Sequence, residues 1–149
     1  MEIKKLNYNE IPDFRNLIEI FNDVFENDIY TPETNYLSRL LSNADFMVFV
    51  VKENDKVVGG LTIYVLHSYY VEKPIAYIYD VGITPSFQGQ GFGKALISEV
   101  CNFYKQNGFK DAYVEAESDD IDAIGFYRKT NFSNEMNAKH FTYTFDNEK

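Results

Sequence analysis

The chain has 149 residues, 45% of them hydrophobic and 17% aromatic, with a formal net charge of −9. That length suits one domain with a sizeable core, and the ring-rich composition argues against disorder. The acidic balance disfavours nucleic acid and anionic membrane as partners and favours a cationic small molecule or a basic peptide.

A single cysteine, Cys101, rules out an intramolecular disulfide framework. The histidines His67 and His140 are too few and too far apart to suggest a metal site. No apolar run approaches the length of a membrane span, and the charged start Met1-Glu2-Ile3-Lys4-Lys5 leads into no signal-peptide core. A cytoplasmic location is therefore expected.

Residues 1–6 read as a short opening strand. Ile11, Phe14, Leu17, Ile18, Phe21, Val24 and Phe25 then recur at helical spacing, with Asn9 as the expected cap. After a polar break at 27–32, Thr31-Pro32-Glu33 restarts a helix to about Ser42, with proline at an early helical position. A β-branched and aromatic run at 46–53 predicts a strand, 54–56 a turn, and 57–66 its partner. Residues 67–74 form a loop. A tyrosine-rich strand follows at 75–83, with Ile75, Tyr77, Tyr79, Val81 and Ile83 on one side by alternation. A helix is expected over 91–107, ended by Gly108. A strand at 110–117 and a short helix to about Lys129, capped by Asp119 or Asp120, come next. Phe132 and residues 139–145 supply late strand material. No repeat or linker divides the chain, so residues 1–149 form one α/β domain, a mixed sheet flanked by helices in the order βααβββαβαβ.

The stretch between the fourth strand and the third helix carries the chemistry. Gln88-Gly89-Gln90-Gly91-Phe92-Gly93-Lys94 places bare backbone N–H groups at a helix N-terminus, where orphan donors and the helix dipole favour an anion. Glycines there let backbone approach a diphosphate. The P-loop spacing is not met: Gly89 and Gly93 have three residues between them, and Ala95 follows Lys94 in place of Ser or Thr. The dinucleotide fingerprint is met only in part, because its third glycine falls at 93 instead of 94, although Glu115 lies near the ribose-binding distance. The third pattern, Q/R-x-x-G-x-G/A, is satisfied by Gln88, Gly91 and Gly93.

That pattern resembles motif A of the GNAT superfamily of acyl-CoA-dependent N-acetyltransferases. Residues 120–132, from Asp120 through Ala123, Phe126, Tyr127 and Lys129 to Phe132, follow the superfamily's motif B, N-x-x-A-x-x-F-Y-x-K-x-G-F. Two motifs in order, one helix and one strand apart, are more specific than either alone. Asp120 stands where Asn is usual, and Asn131 where Gly is usual. Asn is the non-glycine residue best suited to a left-handed helix exit. A narrower similarity, to the aminoglycoside 3-N-acetyltransferase branch, rests on Phe21 to Phe25, Tyr30, Tyr36-Leu37, Tyr77-Ile78-Tyr79-Asp80, Tyr113-Val114, Asp119-Asp120 and His140-Phe141.

The resemblance implies a GNAT fold with a V-shaped splay between strands four and five. It also implies acetyl-CoA as co-substrate, with direct acetyl transfer to a primary amine of a small cationic acceptor. Backbone groups of Val81, Gly82 and Ile83 would take the pantetheine arm. Residues 88–94 would take the diphosphate, with Asp120, Ala123 and Phe126 completing the donor site. Tyr127 matches the family's general acid; a core aromatic is its plain structural alternative. For the base, Asp80 stands first, Glu117 next, with water-mediated deprotonation open. Glu26, Asp28, Tyr30, Asp80 and Glu115 are candidates for holding the acceptor, and a solvated loop is the alternative for the first three. A polyamine or peptide acceptor, and a non-catalytic acyl-CoA sensor, remain alternatives, and the aromatic sheet edges leave a homodimer open.

Overall fold

The computed structural model describes residues 1–28 and 30–146. Its elements are β1 (Glu2–Lys5), α1 (Ile11–Val24), α2 (Thr34–Ser42), β2 (Phe46–Glu53), β3 (Lys56–His67), β4 (Pro74–Ile83), α3 (Phe92–Gln106), β5 (Asp111–Val114) and α4 (Ile121–Arg128). The strands form one sheet in the order β1-β2-β3-β4-β5. All neighbours are antiparallel except β4 and β5, which run parallel across the α3 crossover.

Sequence patterning explains the layers. Phe14, Leu17 and Phe21 of α1 and Leu37 of α2 are buried with Leu6, Phe46, Val48 and Val50 on one face of the sheet. The alternate β2 residues, Phe49 and Val51, face the other way and join Leu61, Ile63, Ala76 and Ile78 beneath Leu96, Ile97, Val100 and Tyr104 of α3. Strands β2 and β3 are covered on both sides, which is why they read as continuous apolar runs. Full burial of each large aliphatic or phenylalanine side chain among them stabilises the fold by roughly 1.5–3 kcal/mol.

The β2–β3 turn is the predicted one. Asn54 and Asp55 both adopt positive φ, 51° and 64°, as a two-residue hairpin turn requires. Gly108, at φ 79°, ends α3. Helix α1 starts one residue later than expected, with Glu10 and not Asn9 at its cap, and α2 begins at Thr34, so Pro32 precedes it.

Four expectations differ more deeply. Strand β5 stops at Val114, short of the expected end at 117, so Glu115 and Glu117 lie beyond it. Residues 139–145 form no strand; the whole stretch 131–146 is exposed. Asn131 does not take a left-handed conformation; the Thr130 hydroxyl instead donates to the Tyr127 carbonyl, 2.5 Å away, at the end of α4. Finally, alternation does not run through β4. Ile78 pairs with Ile63 and Val81 with Leu61, which leaves Tyr79 and Asp80 together opposite Thr62. This β-bulge turns Val81 and Ile83 toward α3, where they pack with Ile78, away from the side of Tyr77 and Tyr79.

Candidate active site

The site lies where β4 and β5 part. Their ladder spans only Ile75 to Ile78 against Asp111 to Val114. From Tyr79 onward the β5-facing edge of β4 has no ladder partner, so the backbone of Val81, Gly82 and Ile83 lines an open slot. That is the expected splay. Its cause is the shortness of β5 combined with the bulge at Tyr79 and Asp80.

At the end of the slot the chain turns through Pro85–Phe87 and enters α3. The Gln88 side chain donates from Nε2 to the Ile83 carbonyl at 2.8 Å and ties the turn to the strand. Phe92 stacks on Phe87 with ring centroids 5.7 Å apart. Gly91 caps α3 at φ 85°, and no side chain caps the helix. The first N–H groups of α3 therefore lack both intrahelical and side-chain acceptors. The first turn holds no acidic residue, and exposed Lys94 sits there against the helix dipole. A bound diphosphate reverses that penalty.

The three glycines separate into two roles. Gly89 (φ 76°) and Gly91 take backbone angles that other residues resist, and a Cβ on either meets open space. Gly93 is needed for packing, because a Cβ there would stand 3.0 Å from Phe126 Cε1 of α4. Gly91→Val is accordingly expected to raise the acetyl-CoA KM at least roughly tenfold through strain and obstruction in the turn, the strain alone being worth about 1–2 kcal/mol. Steady-state kinetics check this; an unchanged KM contradicts the cradle.

Phe126 also packs against Tyr127, with centroids 5.0 Å apart, so α3, Gly93 and α4 together place the Tyr127 phenol. Asp120 caps α4 by accepting the Ala123 N–H at 3.1 Å, which is why aspartate serves where asparagine is usual. Burial, then the nearby Asp120 and Asp80 charges, push the Tyr127 hydroxyl up to about 12. The Asp80 charge thus reaches Tyr127. Burial pushes the Asp80 carboxyl above the usual carboxylate range, and its N–H donates to Thr62 Oγ1 at 3.3 Å.

The other acidic candidates separate. Glu115 accepts the Tyr77 hydroxyl at 2.8 Å and is fixed beside the sheet. Glu117 is exposed on the loop after β5. Glu26, Asp28 and Tyr30 are exposed on the segment after α1. That segment reaches the slot through Phe25, which stacks on Phe21 at 5.5 Å; both rings lie against Gly82. Glu26 takes φ 55°, unusual for a non-glycine residue, where α1 ends with the Asn27 N–H on the Asn22 carbonyl. Glu26→Gly is expected to stabilise the fold by about 1 kcal/mol while weakening acceptor binding. Thermal unfolding and acceptor KM test the two halves separately.

One feature of the site was not assigned from sequence. Tyr64, Tyr79, Tyr77 and Tyr113 form a continuous aromatic ladder across β3, β4 and β5, with successive centroid distances of 5.4, 5.7 and 4.7 Å. The last pair stacks at 7°. Tyr64, Tyr79 and Tyr113 remain 40–54% exposed, so the ladder presents ring surface to solvent beside Asp80 and Glu115. The spacing of Tyr77 and Tyr79 signals a shared face, but their meeting with Tyr64 and Tyr113 depends on strand register.

The acetyltransferase (GNAT) family model matches residues 14–132, which run from the first turn of α1 through the end of α4. The chain belongs to the GNAT family. An aminoglycoside acetyltransferase from an uncultured soil metagenomic sample, crystallised with trehalose and with sisomicin, is 42% identical to this GNAT chain. It superposes with a TM-score of 0.95 over 97% of this chain and 96% of its own. A mycothiol acetyltransferase of Saccharomonospora viridis is 37% identical over 60 residues, 40% of this chain. An uncharacterized N-acetyltransferase of Bacillus subtilis is 23% identical over 106 residues, 71% of each chain. The chain spans about a fifth of the length of the mycothiol acetyltransferases it matches. Among the described residues no helix is long and apolar enough to cross a membrane, and no group of three or more His, Cys, Asp or Glu side chains is placed to hold a metal ion.

Proposed function

We propose that the protein transfers acetyl from acetyl-CoA directly to a primary amine of an aminoglycoside. The observation that carries this reading is the joining of three features at one slot: an uncapped glycine-rich helix start, the unpaired edge of β4, and Tyr127 within reach of the Asp80 charge. Residues 88–94 bind the diphosphate through backbone N–H groups, and Val81 to Ile83 pair with the pantetheine arm as an added strand would. The Val81 N–H polarises the thioester carbonyl.

The acceptor lies on the tyrosine ladder, its cationic amines facing Asp80, Glu115, Glu26 and Asp28. Sugar rings and ammonium groups both suit exposed aromatic faces flanked by carboxylates. Asp80 accepts one proton from the ammonium, the free amine forms the N–C bond as the C–S bond breaks, and the second proton that the nitrogen sheds as the amide forms passes to water. The leaving thiolate takes its hydrogen bond from Tyr127. A phenol near 12 stays protonated at working pH, whereas a thiol ionises near about 8.5. Tyr127 therefore stabilises the thiolate as a donor, and the final proton on CoA equilibrates with solvent.

The 42% identical relative crystallised with sisomicin supports the aminoglycoside class, and the branch resemblance points to the 3-amine. The position is read from the product's NMR spectrum. Thiol release with aminoglycosides, spermidine, peptides and free amino acids separates this function from polyamine or peptide transfer. Binding of acetyl-CoA without thiol release on any amine would identify a sensor instead.

A further inference from the structure

The bulge in β4 is met from β3 by a single polar side chain. Ile78 pairs with Ile63 and Val81 with Leu61, so Tyr79 and Asp80 share Thr62 between them. An extra residue in one strand breaks the ladder at that point. Thr62 puts a hydroxyl into the break, and its Oγ1 accepts the Asp80 N–H at 3.3 Å.

That hydroxyl is out of keeping with its surroundings. Thr62 is 8% exposed and is the only buried polar side chain among the described residues. Its neighbours along β3, Leu61 and Ile63, and its partner across β2, Val48, are fully buried and apolar. A buried hydroxyl costs stability unless it is hydrogen-bonded, and valine would fill nearly the same space without that cost. What the hydroxyl adds is a hold on the Asp80 backbone. The Asp80 charge acts on Tyr64 of β3 and on Tyr127 of α4, so it reaches both the acceptor ladder and the group that meets the thiolate. Proton transfer needs heavy atoms within about 2.6–3.2 Å, which leaves little room for the bulge to shift.

We propose that Thr62 is a positioning residue for acetyl transfer, its hydroxyl fixing the bulge so that the Asp80 carboxyl meets the acceptor amine. The assignment rests on Asp80 being the base, but not on which amine is acetylated.

The test is thiol release across a range of pH with Thr62→Val, Thr62→Ser and Asp80→Asn, and with Thr62→Val combined with Asp80→Asn. Thr62→Val is expected to lower kcat roughly tenfold or more, since a displacement of about 1 Å can cost about 10²-fold. Its acetyl-CoA KM should stay near the wild-type value. The rising limb of kcat/KM should move to lower pH, because a carboxyl freed toward water loses the burial that raises it. Tyr64 and Tyr127, the titratable groups that feel Asp80 from β3 and α4, ionise too high to set that limb.

Thr62→Ser keeps the hydroxyl and should retain most of kcat and the wild-type limb, at a lower Tm. In the Asp80→Asn background, Thr62→Val should change kcat by less than about twofold. Should Thr62→Val not fold by circular dichroism, Thr62→Ala is read in its place. Wild-type kcat and an unmoved limb in the hydroxyl-free variant overturn the proposal. So does a Thr62→Ser enzyme as impaired as Thr62→Val, because packing and not the hydroxyl then matters. An effect that persists without the Asp80 carboxylate also overturns it. Wild-type kcat in Asp80→Asn alone overturns the base assignment itself, an outcome separate from the other three.

Discussion

Tyr127→Phe is expected to lower kcat by roughly 10²–10³-fold, the range for loss of one hydrogen-bond donor to a developing anion, while leaving the acetyl-CoA KM near its wild-type value. The substitution removes one oxygen and keeps the ring that packs on Phe126, so the fold and the donor site persist. The loss falls on the transition state because only there does negative charge develop on sulfur. With the hydroxyl pushed up to about 12, the wild-type rate should show no descending limb from this group across the ordinary assay range. Stopped-flow or steady-state thiol release measures both values. Wild-type kcat in the variant would remove Tyr127 from the mechanism.

Asp80→Asn is expected to have opposite effects on activity and stability. Activity should fall by roughly 10²–10⁴-fold, because an amide cannot accept the ammonium proton. In the wild type kcat/KM should rise with pH through the raised Asp80 value, and that limb should vanish in the variant. Stability moves the other way. The folded carboxyl titrates above its ordinary 3.8 because burial disfavours its charge. Between those two values the folded state holds more protons than the unfolded state, so Asp80 costs stability as pH rises through that window and above it. Asp80→Asn should therefore raise Tm near pH 7 and leave it nearly unchanged at about pH 3. A variant both inactive and less stable near neutrality would mean that Asp80 holds the bulge together and is not the base.

The two motifs made the donor side legible because their function is carried by local backbone. The turn at residues 88–94 needs only its own glycines and the helix it opens, and Asp120 needs only the amide of Ala123. The acceptor side depended on contacts remote in sequence. Nothing local marks the bulge at Tyr79 and Asp80, which arises from register against Thr62 and changes which side chains accompany Val81. The aromatic ladder likewise joins three strands, and its fixing of Glu115 spans 38 residues. The predicted last strand shows the converse: the alternation at Phe141, Tyr143 and Phe145 is strand-like, but a strand needs a partner edge. The third glycine of the cradle was assigned to phosphate approach, whereas its neighbour is Phe126.

Acetyl transfer onto an aminoglycoside amine at this slot is measured by thiol release from acetyl-CoA across one panel of amines. Sisomicin, kanamycin- and gentamicin-type sugars, spermidine, peptides and free amino acids belong on it. At least one aminoglycoside is expected to give a kcat/KM roughly tenfold or more above every non-sugar amine, a difference of about 1.4 kcal/mol in transition-state binding. Higher kcat/KM for spermidine or a peptide, or donor binding with no release on any acceptor, would contradict it.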